Sequence, residues 1–333
     1  MTAPGVTFLV TAHNEAAHIG ATVRHLLAQE GVPGGFEILL VDDASTDGTA
    51  TAAREAAAGD ARLRVIGSRR DPASPLTTRQ QALDLGFAEA RGEVVLLVDA
   101  DSAMRRDWAA RMAAPVLAGR ADAAAGPVGF VPSRSWIARW QSCDAHYYFL
   151  VCRLLARAGL AAGVFFGNFA VRRAVHAELG GFSGIGFALT EDLAFAQALH
   201  AAGRRIAFLP GPGTRVDVHA CPDFPSLVAR SLRVTSGGPS VLAAVLTIWP
   251  LTLLGLLLAA LVSGAPALWW AAGLRWLAGA GLVRLALRAH EDPRVRRFAW
   301  FYEPLAFVLA AAVLWRVARG QARIGWGGRN YER

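Results

Sequence analysis

The stretch EVVLLVDAD, from Glu93 to Asp101, decides the fold of this chain. Five apolar residues bounded by polar ones are typical of a short strand that is buried on both faces of a sheet. Asp99 and Asp101 follow that strand and are two residues apart, so they can share one divalent cation, Mg²⁺ or Mn²⁺. The alternative is a solvated pair of loop acids.

Two more short apolar runs precede this stretch, at Val6–Val10 and Glu37–Val41. Apolar residues have helical spacing in three further segments, residues 16–29, 46–58 and 79–90. Strands that alternate with helices predict an α/β fold with a doubly wound, mostly parallel sheet. Ligands of such sheets bind beyond the carboxyl ends of the strands. Polar clusters follow the three predicted strands at that end: His13, Asn14 and Glu15; Asp42 and Asp43; Asp99 and Asp101.

The middle of the chain is less regular. Tyr147–Phe166 is apolar but carries Arg153 and Arg157, which predicts a buried or interfacial helix rather than a membrane span. Thr190-Glu191-Asp192 precedes a helical stretch that runs to about Ala202. A carboxylate placed there can act as a general base toward a hydroxyl group. The alternative is that Thr190 or Asp192 caps the helix.

The last third of the chain is strongly apolar. Residues 240–262 are long enough to cross a hydrocarbon core of about 30 Å, and 265–287 and 301–317 are further candidates. Arg275 and Arg284 weaken the second candidate, and Pro304 weakens the third. The basic loop 288–297 is assigned to the cytoplasm by the positive-inside rule. We therefore expect a hairpin of the first two segments, a shallow third segment and a cytoplasmic basic tail.

Composition supports membrane attachment, because 54% of the residues are hydrophobic and only 18% are charged. The net charge of +8 comes without an interleaved basic and aromatic pattern, so we expect no nucleic-acid partner. Anionic lipid headgroups and substrate phosphates are the expected anionic partners. The three cysteines form no CxxC pair, which indicates a reducing compartment. The first strand is too short for a signal peptide, so the first domain is expected to be cytoplasmic.

Four segments, taken in order and spacing, resemble the successive motifs of family 2 glycosyltransferases with the GT-A fold: Thr11 to Glu15, Val41 to Thr49, Asp99 to Asp101, and Thr190 to Asp192. The resemblance covers roughly residues 4–235. It implies a nucleotide-sugar donor, either a UDP-sugar or a GDP-sugar, and direct displacement that inverts the anomeric configuration.

The same resemblance implies residue roles. The nucleotide would be held by Ala12, Glu15 and one of Asp42 or Asp43; the diphosphate and Mg²⁺ or Mn²⁺ by Asp99 and Asp101; and Asp192, beside Glu191, would be the catalytic base. Arg79 and Asp84 stand where the family often has Lys and Asn. Arg79 can still contact phosphate or base, whereas Asp84 departs from the pattern. His219 resembles a third metal ligand; the alternative is a structural histidine.

Further resemblances concern the acceptor. Gly167 and Asn168 resemble a segment that lines the acceptor and donor-sugar pocket. The segment from Arg230 to Val234, with Arg233, stands where membrane-bound members carry (Q/R)xxRW, but Val234 replaces the Trp. The ending from Ile324 to Tyr331 resembles the WRGRxY ending of lipid-directed members related to ceramide glucosyltransferases and to hopanoid or carotenoid enzymes, with Gly327 at the first Arg. This likeness implies that Trp326 and Arg329 lie near the site.

These observations predict two parts: a GT-A domain at residues 1–235 and a multi-pass membrane region at 236–333. The expected activity is transfer of a single sugar to a lipid or lipid-linked acceptor at the cytoplasmic face of the membrane. A processive or polyprenyl-phosphate-directed enzyme is the alternative within the family. A non-catalytic GT-A-like membrane scaffold is the alternative of another class. A nucleotidyltransferase would carry a glycine-rich basic phosphate loop, which Thr11 to Glu15 does not provide.

Overall fold

The structure is a computed structural model that describes residues 4–235, 240–288, 290–319, 324–326 and 329–331, the last two ranges by their backbone alone. Packing divides the chain into two units. The first, called here the catalytic unit, comprises Met1–Val131, Gly163–His219 and Gly325–Arg329. The second, the helical unit, comprises Pro132–Ala162, Ala220–Ile324 and Asn330–Arg333. This division differs from the boundary expected after residue 235, and the domain assignment stays a prediction.

The strands of the structure are β1 (Val6–Ala12), β2 (Phe36–Asp42), β3 (Leu63–Gly67), β4 (Val94–Val98), β5 (Ala103–Met104), β6 (Ala123–Ala125), β7 (Val128–Phe130), β8 (Asn168–Arg172), β9 (Ile206–Phe208), β10 (Val216–Val218), β11 (Ile324–Trp326) and β12 (Arg329–Tyr331). Seven strands form the main sheet in the order β3-β2-β1-β4-β8-β6-β9. Strands β5, β10 and β7 form a second small sheet, and β11 pairs with β12.

The helices are α1 (Ile19–Leu27), α2 (Thr49–Ala57), α3 (Thr78–Glu89), α4 (Trp108–Leu117), α5 (Trp136–Arg157), α6 (Arg173–Glu178), α7 (Gly181–Ile185), α8 (Glu191–Ala201), α9 (Phe224–Val234), α10 (Val241–Ser263), α11 (Pro266–Ala286), α12 (Pro293–Phe298) and α13 (Tyr302–Ala318). Short 3₁₀ turns lie at Pro212–Thr214 and Ala299–Phe301.

The main sheet confirms the predicted α/β class with a mostly parallel sheet. Strands β3, β2, β1 and β4 run parallel, and β8 is antiparallel to both of its neighbours, β4 and β6. Strand β4 is buried along its whole length, as its unbroken apolar sequence requires. The register sets Ala12 beside Asp42, and Val10 beside Val98. The carboxyl ends of these three strands therefore lie at one edge of the sheet.

The helix expected over Tyr147–Phe166 is present, but its predicted bounds are wrong. It is α5, which begins at Trp136 and ends at Arg157. Gly159 ends it in the left-handed region with φ +71°, and the Leu160 amide donates to the Leu155 carbonyl at 2.9 Å. This is the hydrogen bond of a glycine-terminated helix. In the part of α5 that overlaps the predicted segment, Tyr147, Phe149, Val151, Cys152 and Leu155 are buried, which fits the expected buried character.

Two helical segments of the described chain, Val241–Ser263 and Pro293–Ala318, are long and apolar enough to cross a membrane by length and composition. The first predicted segment agrees with one candidate to within one residue at each end, and the third, 301–317, lies within the longer candidate Pro293–Ala318. The second forms α11, which is not among them, and its Arg275 and Arg284 account for that difference. The expected hairpin of the first two segments stays a prediction.

Arg275 joins three helices inside the helical unit. Its Nη2 lies 3.1 Å from Oε1 of Glu303, and the two side chains are only 9% and 4% exposed. Its guanidinium stacks over the Trp249 ring at 3.8 Å, and its Nε donates to Oγ1 of Thr252 at 2.8 Å. A Cβ at Gly279 would lie 2.5 Å from the Glu303 carboxylate, so only glycine leaves room for that acid. We call this arrangement the Arg275 brace.

Candidate active site

The site is built at the edge of the sheet where β1, β2 and β4 end. The loop after β1 and the loop after β2 are joined there by side chain to backbone hydrogen bonds. The Asn14 amide donates to Oγ of Ser45 at 3.0 Å, and the Thr46 amide donates to Oδ1 of Asn14 at 2.8 Å. The Ala16 amide donates to Oδ2 of Asp47 at 2.9 Å. The loops therefore present one rigid surface, and Asn14 accepts a φ of +59° to make it.

Asp42 and Asp43 have different surroundings. Asp43 is buried, and its carboxylate accepts hydrogen bonds from Ser68 at 2.6 Å and from Nε of Arg70 at 3.0 Å. Asp42 is partly exposed, and its Oδ1 accepts from the Ser45 amide at 3.1 Å. Asp43 thus holds the loop and Asp42 faces outward. The Ala12 carbonyl is occupied as well, since it accepts from the Asp43 amide at 2.8 Å.

Three carboxylates, Glu15, Asp99 and Asp101, repel one another at this edge. Burial, and then the neighbouring Asp99, raise the pKa of Asp101. Burial, and then Asp101, raise the pKa of Glu15. His219 lies beside them, because its backbone amide donates to Oδ2 of Asp101 at 2.9 Å and its ring lies 4.3 Å from that of His18.

This donor set fits a divalent cation. Carboxylate oxygens are the ligands that Mg²⁺ and Mn²⁺ prefer, and a bound cation would offset the repulsion between the crowded acids. Among the described residues, no group of three or more His, Cys, Asp or Glu side chains is arranged around a common point where a metal would lie. Asp99 and Asp101 are the two residues here that would hold one, and the role of His219 as a third ligand stays a prediction.

Arg79 connects Asp99 to the acids that begin α8. Its Nη2 lies 2.8 Å from Oδ1 of Asp99, and its Nε lies 2.8 Å from Oε1 of Glu191. Glu191 is only 6% exposed, so Arg79 neutralises a buried charge. Asp192 follows on the first turn of α8 and is partly exposed. The two acids therefore divide: Glu191 is held in an ion pair, and Asp192 reaches the surface.

The start of α3 also holds the segment before α8. Thr77 and Gln80 form a reciprocal capping box, and Nε2 of Gln80 donates to the Gly186 carbonyl at 2.8 Å. The Ala188 amide donates to Oε1 of Gln80 at 3.3 Å. Neither Gln80 nor Arg70 was among the predicted site residues. The capping-box pattern at residues 77–80 could have shown the cap, but no sequence signal shows its long-range partners.

Asp84, the departure from the family pattern, has a structural role in this chain. Its Oδ1 lies 2.8 Å from Nε2 of His176 and accepts from the Phe182 amide at 2.9 Å. The His176 ring in turn stacks on Phe87 at 3.9 Å. Asp84 therefore fastens α3 to α6 and α7.

Asn168 is fully buried and its amide is engaged on both sides. Its Oδ1 accepts from Nε1 of Trp108 at 3.0 Å, and its Nδ2 donates to the carbonyls of Pro127 and Thr214, both at 2.8 Å. This amide holds four segments of the catalytic unit together. Its expected contact with a sugar stays a prediction, and the structure gives the side chain a supporting position beside Gly167.

Gly167 lies so close to Asp99 that a larger side chain at this position would push against the Asp99 carboxylate. A Cβ on Gly167 would lie 2.3 Å from Oδ2 of Asp99, a distance that Cβ atoms essentially never show. We expect Gly167→Ala to displace the Asp99 carboxylate and to lower kcat/KM about a hundredfold, because shifts of about 1 Å in an active site have effects of that size. Steady-state kinetics measures this.

The matched control for this prediction is Gly20→Ala on α1, where the new Cβ meets its nearest atom at an ordinary 3.5 Å. That variant should keep full activity. A Gly167→Ala protein with unchanged kcat/KM would show that Asp99 can move without consequence.

Four predicted site residues remain, namely Arg230, Arg233, Trp326 and Arg329. Arg230 and Arg233 are on α9 of the helical unit, where Nη1 of Arg230 donates to Oε1 of Gln141 at 2.9 Å. Trp326 ends β11 and Arg329 begins β12. Their side chains, like all of Gly327, lie outside the described part of the chain, so their expected contacts stay predictions.

Comparisons with known proteins place the chain in a family. Residues 7–180 match the family model of Glycosyl transferase family 2, and residues 94–318 match that of Glycosyl transferase family group 2. The Succinoglycan biosynthesis protein ExoO of Rhizobium meliloti (strain 1021) is 38% identical over 127 residues, which cover 38% of this chain and 32% of that protein. The chain thus matches about a third of the length of this curated relative.

A solved structure shares the fold. The mannosyltransferase PcManGT from Pyrobaculum calidifontis, in complex with GDP-Man and Mn²⁺, superposes with a TM-score of 0.58 at 22% identity, covering 95% of this chain and 88% of that one. Likeness at this level of identity speaks for the fold alone. The family model spans more than half of the chain, and it agrees with the motifs at the strand ends. The chain therefore belongs to glycosyl transferase family 2 and is a glycosyltransferase with the GT-A fold.

Proposed function

We propose that the protein transfers a single sugar from a nucleotide sugar, a UDP-sugar or a GDP-sugar, to a lipid or lipid-linked acceptor at the cytoplasmic face of the membrane. The proposal is supported mainly by the two ion pairs of Arg79, which join Asp99 at the end of a parallel strand to Glu191, the residue before Asp192. It offers a place for a diphosphate and a base for an acceptor hydroxyl in one site.

The reaction assigned to this site is a direct displacement. Asp192 accepts the proton of the acceptor hydroxyl while its oxygen attacks the anomeric carbon. The bond from that carbon to the diphosphate breaks, and the nucleoside diphosphate leaves with inversion. Glu191 and Arg79 position Asp192 and Asp99 relative to each other. A divalent cation held by Asp99 and Asp101 would supply charge stabilisation for the departing diphosphate.

On the donor side, Asp42 and Glu15 are the proposed nucleotide contacts. Asp42 is partly exposed, whereas both oxygens of Asp43 are engaged by Ser68 and Arg70. A carboxylate such as Asp42 can accept hydrogen bonds from a base N–H or from ribose hydroxyls. Asp43 would act by holding the loop.

The membrane part of the proposal rests on the helical unit. Large apolar side chains are exposed along α10, α11 and α13, among them Ile248, Leu261, Trp270, Leu274 and Leu314, each more than 60% exposed. So many exposed large apolar side chains on a folded protein indicate a contact with a membrane or a partner. A lipid acceptor is a natural substrate for a catalytic unit that is attached to such helices.

The test is a transfer assay with purified protein in detergent, offered UDP- and GDP-sugars and a membrane lipid extract. We expect release of nucleoside diphosphate and a new glycolipid, loss of both with EDTA, and recovery with Mn²⁺. Asp101→Asn should lower the rate about a hundredfold, because it removes a ligand of the charge-stabilising cation. The matched control is the exposed Asp107→Asn.

Several outcomes would contradict the proposal. Full activity in EDTA, together with an Asp101→Asn variant as active as wild type, would show that the reaction does not need a divalent cation. Absence of transfer and hydrolysis with every donor, in protein that still binds nucleotide, would favour the non-catalytic scaffold. A polymeric product would favour a processive enzyme. Lipid profiling of a deletion strain would identify acceptor and sugar together, since the missing glycolipid contains both.

A further inference from the structure

A basic pocket lies in the helical unit, between the end of α11 and α12. It has a volume of about 570 Å³ and is lined by Gly281, Arg284, Leu285, Arg288, Pro293, Arg296 and Arg297. Four of these lining residues are arginines, and none of the lining residues in the described part of the chain is acidic. We call it the Arg284 pocket. It lies in the helical unit, whereas the proposed catalytic acids belong to the other unit.

The arginines of the Arg284 pocket are held in place by the two helices. Arg284 lies in the last turn of α11 and Arg288 in the turn that follows the helix, and both line the pocket. Nη1 of Arg284 donates to the Arg296 carbonyl at 3.3 Å, and this bond fixes α12 against α11. The Arg284 guanidinium lies 5.9 Å from the Trp300 ring centroid. The positive groups therefore converge from two elements.

Two acids, Glu291 and Asp292, lie in the loop that connects α11 to α12, but neither lines the pocket. Oδ1 of Asp292 accepts from the Arg294 amide at 2.8 Å and caps α12. In the described part of the chain, the ion pairs seen with Asp or Glu involve arginines other than the four that line the pocket, such as Arg275 with Glu303. Burial, and then the charges of Arg157 and Arg288, lower the pKa of Arg153, so α5 adds to the positive field. Such a cluster favours a bound anion.

The flanks of the pocket are apolar. Leu285, which lines it, is 50% exposed, Leu277 on the same helix is 46% exposed, and Phe301 just beyond α12 is 60% exposed. The pocket also lies at the beginning of the candidate span Pro293–Ala318. A ligand with a phosphate at one end and hydrocarbon at the other matches basic lining beside apolar flanks.

We propose that Arg284, Arg288, Arg296 and Arg297 bind the phosphate of an anionic membrane lipid. Planar guanidinium groups pair with phosphate oxygens in a two-bond geometry that suits this ligand. The bound lipid fixes the α11–α12 corner at the anionic cytoplasmic leaflet. The inference rests on the proposed membrane attachment and is independent of which sugar is transferred. Free phosphate shares the chemistry, so the test separates the two sources.

The experiment compares Arg288→Gln/Arg297→Gln with Arg54→Gln/Arg294→Gln, which removes the same charge from exposed positions outside the pocket. Full-length protein in detergent is titrated with phosphatidylglycerol, phosphatidylcholine, inorganic phosphate and diphosphate, and retained lipid is counted by native mass spectrometry. We expect wild type to prefer phosphatidylglycerol. The pocket variant should bind it about tenfold more weakly, and the control pair should bind it as wild type does.

Equal binding of the two lipids, or equal weakening in both variant pairs, would overturn the proposal. Binding of diphosphate with no competition from phosphatidylglycerol would assign the pocket to a soluble anion and overturn the lipid source. Should the pocket variant not fold, phenylglyoxal labelling of wild type replaces it: phosphatidylglycerol should protect Arg288 and Arg297 and leave Arg294 reactive. Uniform labelling would contradict the site.

Flotation with vesicles separates this inference from the proposed function. If the protein floats neither with vesicles of phosphatidylcholine alone nor with vesicles that also contain phosphatidylglycerol, membrane attachment itself is refuted. Equal flotation with both compositions would refute the pocket alone. Inactive protein that still prefers phosphatidylglycerol would refute the proposed transfer and leave the pocket in place.

Discussion

Replacing Asp192 by Asn is expected to lower kcat about a thousandfold while the dissociation constant for the nucleoside diphosphate stays within about twofold of wild type. A positioned general base contributes about 10²–10⁴-fold, and the amide cannot accept the proton of the acceptor hydroxyl. The shape of the side chain is kept, and Asp192 is partly exposed at the start of α8, so the fold should be unaffected. Steady-state kinetics and calorimetric nucleotide binding measure the two effects.

The control for Asp192→Asn is Asp60→Asn, the same change in an exposed pair with Arg62. It should leave kcat unchanged. Glu191→Gln provides the contrast, because Glu191 is buried against Arg79 and its change should lower the melting temperature as well as the rate. If Asp192→Asn keeps more than a tenth of the wild-type kcat, Asp192 is not the catalytic base and another group must accept the proton.

Arg79→Met is expected to destabilise the catalytic unit by about 3 kcal/mol and to raise the KM for the donor. The change leaves the Glu191 carboxylate, which is 6% exposed, without the guanidinium 2.8 Å away, and removal of one partner of a buried ion pair costs about 3–5 kcal/mol. Because the Arg79 side chain is itself 20% exposed, we take the lower end of that range. Asp99 also loses its partner, which disturbs the diphosphate site.

Chemical denaturation of a double-mutant cycle tests this prediction. Arg79→Met combined with Glu191→Gln removes the unpaired charge, so the double variant should be more stable than Arg79→Met alone. Arg62→Met is the matched control, since its pair with Asp60 is exposed and should contribute less than about 1 kcal/mol. Additive losses in the cycle would show that Arg79 and Glu191 do not stabilise each other.

The core of the catalytic unit could be predicted from local sequence patterns. The predicted strand Val94–Val98 has the observed bounds, and β1 and β2 extend one or two residues beyond their predictions. A buried parallel strand has an unbroken apolar run, which is a strong signal. The small strands, such as β6 with its three alanines, carry no such run and depend on their neighbours in the sheet. The early start of α5 was missed because its first residues, Trp136 to His146, mix apolar and polar residues without a long apolar run.

Much less of the site could be read from the sequence. The acids at the strand ends were visible because parallel strands bring their carboxyl ends together. Their partners were not, since Arg70 reaches Asp43 across 27 residues and Arg79 reaches Glu191 from another helix. The partners of a long side chain depend on the tertiary fold, and a single sequence does not show which distant residues that fold brings together. The apolar helices of the helical unit could be predicted more directly, because long apolar runs in the sequence indicate them.

The Arg275 brace has a consequence for biogenesis. A charge near the middle of a helix costs about 3 kcal/mol on entering a bilayer, so α11 is a poor substrate for insertion by itself. Its counter-ion, Glu303, is 28 residues further along the chain and is synthesised later. If the helical unit enters a membrane, α11 would be stabilised there only after α13 has been synthesised, and the two helices would insert together. The translocation machinery would meet the last part of this protein as one cooperative insertion unit.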